Sequence, residues 1–284
     1  MLPLKDNIPT DRFPVITVLF IAINIAVFGW QFFLDDGPNS SESPKVSGLS
    51  AADEAVFELG AIPYRLTHPG KECGIVTAPQ GTKLPGIEPV VCEGSADRRE
   101  AEDVPGVEVV DLEGPPWWAT ILTSMFMHGG WLHIIGNMLF LWVFGNNVED
   151  AMGRLRFVAF YLLAGAAAVY AQSAIDTTSA IPTIGASGAV AGVLGAYILL
   201  HPKARVVTLV IIIFFVTLIE IPAAILLGIW ALLQFLPALG QSGVGDMPGD
   251  SVAYVAHVGG FLFGLLMIKL FTARRDERPK VGYG

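Results

Sequence analysis

Apolar runs of bilayer-crossing length recur along this chain, and they constrain its fold more than any other feature. A helix needs about 20 apolar residues to cross the hydrocarbon core. Phe13 to Phe33 supplies one such run. Others cover about Leu132–Phe144, Phe157–Gln172, Ile184–Leu200, 222–240 and Val252–Phe271. A soluble domain of ordinary composition does not carry so many. With 53% hydrophobic and 15% charged residues, the chain reads as an all-α, multi-span membrane protein in contact with the lipid bilayer. Its net charge of -9 comes largely from residues 34–117. Nothing basic enough to bind nucleic acid stands outside short loops.

Residues 1–12 read as a cytosolic N-terminus, too short and too acidic (Asp6, Asp11) for a transit peptide. Residues 13–33 form the first span. A signal peptide fits less well, because no Ala-x-Ala-like site follows and further spans do. Residues 34–116 read as a long acidic extracytoplasmic loop, solvated and partly irregular, with a short amphipathic piece at Ala51–Leu59. It holds no catalytic motif. Its two cysteines, Cys73 and Cys92, close a disulfide if the loop lies outside the cytosol. Pro115-Pro-Trp-Trp118 then returns the chain to the bilayer, where paired tryptophans anchor. Ala119–Met127 is too short to span and suits the interface.

Residues 205–240 would run about 54 Å as one helix, too long for a single span. Glu220 and Pro222 interrupt them. They make either two short spans, or one span at 222–240 preceded by an apolar, β-branched segment near the cytosolic face. Charge selects between these. Arg154, Arg156, Lys203 and Arg205 lie between spans, and Arg274, Arg275, Arg278 and Lys280 follow the last one. The connections 173–183 and 241–251 contain no Lys or Arg. Six spans with both termini cytosolic satisfy every short connection. Seven would put the basic tail, 272–284, outside.

Inside the spans, hydrogen-bonding side chains are costly and mark function. Ser187 and His257 fall at matching depth, below the outer ends of two different spans. Gly188 and Gly192 share one helical face beside Ser187, and Gly260 and Gly264 share one beside His257. Two small faces let helices approach closely. The hydroxyl and the imidazole then come within reach, Ser187 as nucleophile and His257 as general base. His133 and Asn137, four residues apart, project from one face. With the Ser187 backbone N–H, they are candidate donors to an oxyanion. The blander alternatives are a small-residue packing motif around Ser187 and a hydrogen-bonded clamp at His133 and Asn137. No carboxylate presents itself as a third member, so the pair reads as a dyad. No His-Glu-x-x-His zinc motif occurs. Asp246 and Asp250 lie in a connection rather than a span. Ala189 occupies the last position of a Gly-x-Ser-x-Gly elbow. The chemistry calls for no metal and no cofactor, only side chains and water. Two rivals remain, a scaffold that captures membrane helices without cutting and a transporter. The latter expects repeated halves, and none is visible.

These residues resemble the rhomboid intramembrane serine proteases. The motifs are Gly185-Ala-Ser-Gly188, Ala256-His-x-x-Gly-x-x-x-Gly264, and His128-x4-His133-x3-Asn137 followed by Phe144-Gly145 and Glu149. Outside 34–116 the resemblance runs from Phe13 to about Phe271, with 117–271 as the catalytic core. It implies a six-helix bundle with Ser187 as nucleophile, His257 as base, and His133 and Asn137 as oxyanion donors. It implies substrates that are themselves transmembrane helices and a first loop partly in the bilayer, which suits Trp117–Met127; the six-span topology puts the cut on the extracytoplasmic side of the cell membrane. The sequence departs from the pattern twice. Loop 34–116 is longer than in compact members. Ala191 stands where some bacterial members place a Tyr against the catalytic His, so the orientation of His257 must come from elsewhere. Residues 241–251, rich in Gly, Asp and Pro, read as a flexible cap over the site.

Overall fold

Where apolar residues run without turn chemistry they form helices, and where β-branched residues crowd together they form strands. The computed structural model describes residues 2–36, 49–78, 88–212, 215–239 and 252–272. The chain opens with strand β1 (Leu2–Asp6) and helix α1 (Val15–Asp36). The inserted segment adds α2 (Ala51–Leu59), α3 (Pro63–Thr67), β2 (Cys73–Thr77), β3 (Val90–Cys92), α4 (Ala96–Glu102) and β4 (Glu108–Asp111). Helix α5 (Trp117–Thr123) and a 3-10 turn (Ser124–Phe126) lead into α6 (Trp131–Met152), α7 (Arg154–Ile175) and α8 (Ser187–Leu200). Strands β5 (Arg205–Ile212) and β6 (Phe215–Pro222) precede α9 (Ala223–Ala238) and α10 (Tyr254–Phe271).

The protein is mostly helical. Among the described residues, α1 over Val15–Leu34, α7 and α10 are long and apolar enough to cross a membrane, and α8 and α9 are shorter apolar helices. Helix α8 lies at the centre, buried continuously from Gly188 to Tyr197. Helices α6, α7 and α10 pack around it. Its side chains share one core with Phe144, Phe157, Phe160 and Tyr161. Helix α1 is fastened to α6 by Glu149, which is buried. That carboxylate accepts from Thr17 N and Thr17 Oγ1, both at 2.8 Å, and from Ile16 N at 3.0 Å. These are amides of the first turn of α1, which have no partner within the helix, and a carboxylate there also suits the helix dipole.

Most helix boundaries shift from those read in the sequence, and two of the shifts have a glycine as their cause. Helix α6 continues beyond Phe144 to Met152 and ends at Gly153, whose φ of 81° stops it. Helix α8 begins at Ser187 rather than Ile184, because Gly185 at φ 109° is outside helical space.

The all-α expectation requires correction, because the chain contains two three-stranded sheets. In the first, of order β1-β5-β6, the β-branched run pairs with itself as a hairpin from Arg205↔Pro222 to Ile212↔Phe215. Val206, Thr208 and Val210 alternate inward, the period of a strand with one face covered. Arg205–Ile212 and Phe215–Pro222 are therefore strands that precede the single helix α9, not part of two short spans. Strand β1 adds antiparallel to β5, Leu2 opposite Leu209. It carries Asp6 into the interior, where Asp6 Oδ2 accepts from Tyr197 Oη at 2.5 Å and from Asn147 Nδ2 at 2.6 Å.

The solvated, partly irregular loop expected within 34–116 contains more regular structure than its composition suggested. Residues 49–78 and 88–114 hold three helices and an antiparallel sheet of order β3-β2-β4. Helix α2 has the bounds read in the sequence, and it starts with a capping box between Ser50 and Asp53. Ile62, Tyr64, Cys73, Val90 and Cys92 make one small core, and Val76, Val91 and Ala101 another. Cys73 and Cys92 face each other across β2 and β3, joined by a disulfide of S–S 1.94 Å. Cores this small commonly rely on such a staple. The cap expected at 241–251 and the basic tail beyond Thr272 fall outside the described residues.

Candidate active site

Ser187 owes its place to the turn before it. Gly185 N–H donates to Ser124 O at 2.8 Å, which ties the lead-in to the 3-10 turn. Its positive φ swings the chain so that α8 starts at Ser187. The Ser187 amide is therefore one of the helix-start N–H groups that lack an intrahelical partner. The side chain is half-buried.

The four glycines form the seam between α8 and α10. A Cβ on Gly260 would overlap the Gly188 carbonyl oxygen, and one on Gly264 would overlap that of Gly192. The two backbones thus touch along this face. Ser187 adjoins Gly188, and His257 precedes Gly260 by about one turn. Both stand at the same end of the seam. Among the described residues no hydrogen bond joins the Ser187 hydroxyl to His257. The imidazole is instead engaged at Nδ1, 2.8 Å from Gln234 Oε1 on α9. The Trp230 ring lies 6.1 Å from it and the Tyr254 ring 6.5 Å, centre to centre. A cavity of about 310 Å³ opens between α9 and α10, with Trp230, Gln234, Phe235, His257 and Phe261 in its wall.

His133, on α6, approaches the turn before Ser187. A methyl group placed on Gly185 would lie 2.6 Å from His133 Nε2 and 3.7 Å from Ser187 Oγ. Imidazole edge and hydroxyl therefore converge on the same glycine. Gly129 N–H points to His133 Nδ1 at 3.4 Å. A ring that accepts at Nδ1 carries its proton at Nε2, where it can donate. Asn137 is buried one turn further along, and its Nδ2 donates to the His133 carbonyl at 3.0 Å. That leaves the second amide hydrogen for another acceptor. The turn before α6 is clamped from α1. Gln31 Oε1 accepts from His128 N at 3.0 Å, and Gln31 Nε2 donates to His128 O at 3.2 Å.

Gln234 and Gln31 were not read from the sequence as site residues. The available signal was the cost of an amide in an apolar run, where Gln234 stands alone and Gln31 shares its run with Asn24. Among the described residues no cluster of three or more His, Cys, Asp or Glu is arranged to hold a metal ion.

Comparison with known proteins gives a consistent picture. The family model of the Rhomboid domain matches residues 115–274. RHOMBOID-like protein 5 of Arabidopsis thaliana is 25% identical over 192 residues, covering 68% of this chain and 52% of that protein. The mitochondrial Rhomboid protein 1 of Saccharomyces cerevisiae is 30% identical over 152 residues, 52% of this chain and 40% of that one. Rhomboid protease GluP of Bacillus subtilis is 41% identical over 80 residues, 28% of this chain and 15% of that one. The chain thus spans about half the length, or less, of these relatives.

Proposed function

The chain belongs to the rhomboid family, and from that premise we propose that it is an intramembrane serine endopeptidase acting on transmembrane-helix substrates through Ser187 and His257. The observation that carries the reading is the convergence of Ser187 Oγ and His133 Nε2 on Gly185, at the end of the glycine seam that also bears His257. In this reading Ser187, His257 and His133 supply a nucleophile, a base and an imidazole donor from three helices. The name of the Bacillus relative, a protease, supports the same class of chemistry.

In this reading Ser187 Oγ attacks the scissile carbonyl carbon while His257 Nε2 takes the hydroxyl proton. The carbonyl oxygen becomes an oxyanion facing His133 Nε2–H, the Asn137 amide and the Ser187 N–H. As the C–N bond breaks, His257 returns the proton to the leaving amine, and the acyl group stays on Ser187. Water, deprotonated by His257, then releases the acid and restores the hydroxyl. A helical substrate must unwind locally, because its carbonyls are otherwise held in its own hydrogen bonds.

The same proposal takes α1, α6, α7, α8, α9 and α10 as six spans with both termini cytosolic. Exposed Lys5, Arg154, Arg156, Lys203 and Arg205 support it, since they belong to β1, the start of α7 and the segment after α8. Cationic residues favour the cytosolic side. The active site then faces the extracytoplasmic side of the cell membrane. Fractionation of cells tests that location, since the yeast relative is named for the mitochondrion.

The deciding experiment incubates purified full-length protein in detergent with a labelled single-span test substrate. Cleavage by the wild type that disappears in both Ser187→Ala and His257→Ala supports the enzyme. Binding of the test helix with no cleavage by any form would favour a helix-capturing scaffold.

A further inference from the structure

We infer that Gln234 is the positioning residue of the proposed protease, holding His257 in the tautomer and orientation that catalysis needs. The inference rests on the protease reading and deepens it. Its basis is the contact between Gln234 Oε1 and His257 Nδ1 at 2.8 Å. An amide oxygen can only accept. The shared proton therefore belongs to Nδ1, and a neutral imidazole has no other. Nε2 keeps its lone pair, the feature a base needs to take the Ser187 proton.

The placement on α9 fits this role. Trp230 and Gln234 are four residues apart and share one face. That face meets His257 twice, through the Trp230 ring at 6.1 Å and the Gln234 amide. Ring packing limits the tilt of the imidazole, and the hydrogen bond sets its rotation. Among the described residues no carboxylate hydrogen-bonds to His257. In water-poor surroundings an amide is the less costly orienting group, because a buried carboxylate would have to be desolvated first. Gln234 is half-buried and lines the cavity between α9 and α10, so the bond also couples the seating of α9 to the readiness of the base.

The test measures kcat and KM for the single-span substrate with wild type, Gln234→Leu, Gln234→Met and Gln234→Glu. Leu keeps bulk and loses the acceptor, Met keeps bulk with only a weakly accepting sulfur, and Glu keeps an acceptor oxygen in either protonation state. Expected is a fall in kcat of about 10²-fold for Leu and Met with KM within about twofold, and recovery to within about tenfold of wild type for Glu. Labelling of Ser187 by a fluorophosphonate should slow in the same order. Equal kcat in wild type and Gln234→Leu would overturn the inference, as would Glu performing no better than Met. If Leu does not fold, the Met and Glu pair decides alone. Ser187→Ala separates the two levels. Wild-type cleavage that survives Ser187→Ala removes the protease reading itself, whereas Ser187-dependent cleavage indifferent to Gln234 removes only the positioning role.

Discussion

Ala61 and Thr183 exchange two backbone hydrogen bonds, Thr183 N to Ala61 O at 2.9 Å and Ala61 N to Thr183 O at 3.2 Å. The inserted subdomain is thereby stitched to the chain four residues before Ser187. Tyr64 N to Ser179 O at 3.0 Å and Thr67 Oγ1 to Thr177 O at 2.9 Å extend the seam. The subdomain and the lead-in to α8 thus share one set of hydrogen bonds.

The Cys73–Cys92 bridge should therefore matter beyond its own loop. Its cysteines are 19 residues apart, and a loop of that size corresponds to about 3 kcal/mol of stabilisation on the chain-entropy account. Cys73→Ser with Cys92→Ser is expected to lower the melting temperature in detergent and to slow cleavage. Reductant should do the same to wild type and nothing further to the double variant. Melting and cleavage that ignore reductant would mean the seam does not depend on the bridge.

Asp6 sets up a pH effect on stability. Burial raises its pKa above the usual 3.8, and the hydrogen bonds from Tyr197, Ile8 and Asn147 only partly oppose this. A carboxyl whose folded pKa is raised contributes most below its unfolded pKa, and that contribution is lost as pH climbs through the folded value. Asp6→Asn, which keeps an acceptor oxygen without charge, is expected to flatten this part of the pH–stability curve and to be at least as stable as wild type at neutral pH. Asp6→Ala should cost about 1–3 kcal/mol, because Tyr197 and Asn147 lose their acceptor. Unfolding measured in detergent from pH 4 to 7 distinguishes the two, and a curve identical for wild type and Asp6→Asn would rule out the titration.

The glycine seam makes a directional prediction. Gly260→Ala drives a methyl into the Gly188 carbonyl and must separate α8 from α10. The expected cost is about 1–3 kcal/mol, with loss of cleavage because Ser187 and His257 part. Gly228→Ala on α9 meets nothing within 4 Å and replaces a poor helix former, a gain of up to about 1 kcal/mol. Paired thermal melts and turnover numbers check the contrast. Equal tolerance at both positions would contradict the close approach.

Gly185 links backbone and chemistry. Gly185→Ala would strain a residue at φ 109° and set its methyl 2.6 Å from His133 Nε2. The strain costs about 1–3 kcal/mol. The displaced donor should lower kcat by about 10²-fold, the scale of losing one oxyanion contact. Wild-type kcat in a folded Gly185→Ala variant would take His133 out of that role.

Sequence and structure agree where the signal is local. The three spanning-length helices follow from runs of apolar residues, and α2 follows from its amphipathic spacing. The Gly188, Gly192, Gly260 and Gly264 face was legible because helical spacing of small residues carries its own meaning. The folded subdomain was not, because β2, β3 and β4 are three to five residues each, too short for alternation to rise above a turn-rich background. Gln234 was visible as a lone amide, but its partner lies 23 residues away on another helix.

By itself the sequence determined where the long apolar helices lie and which small-residue faces they carry, since both depend on what each stretch brings into an apolar medium. The tertiary structure alone decided that β1 pairs with β5 some 200 positions away, that the inserted subdomain grips the approach to Ser187, and that His257 meets Gln234. Those outcomes depend on distant segments competing for the same hydrogen bonds and the same space, which only the assembled chain resolves.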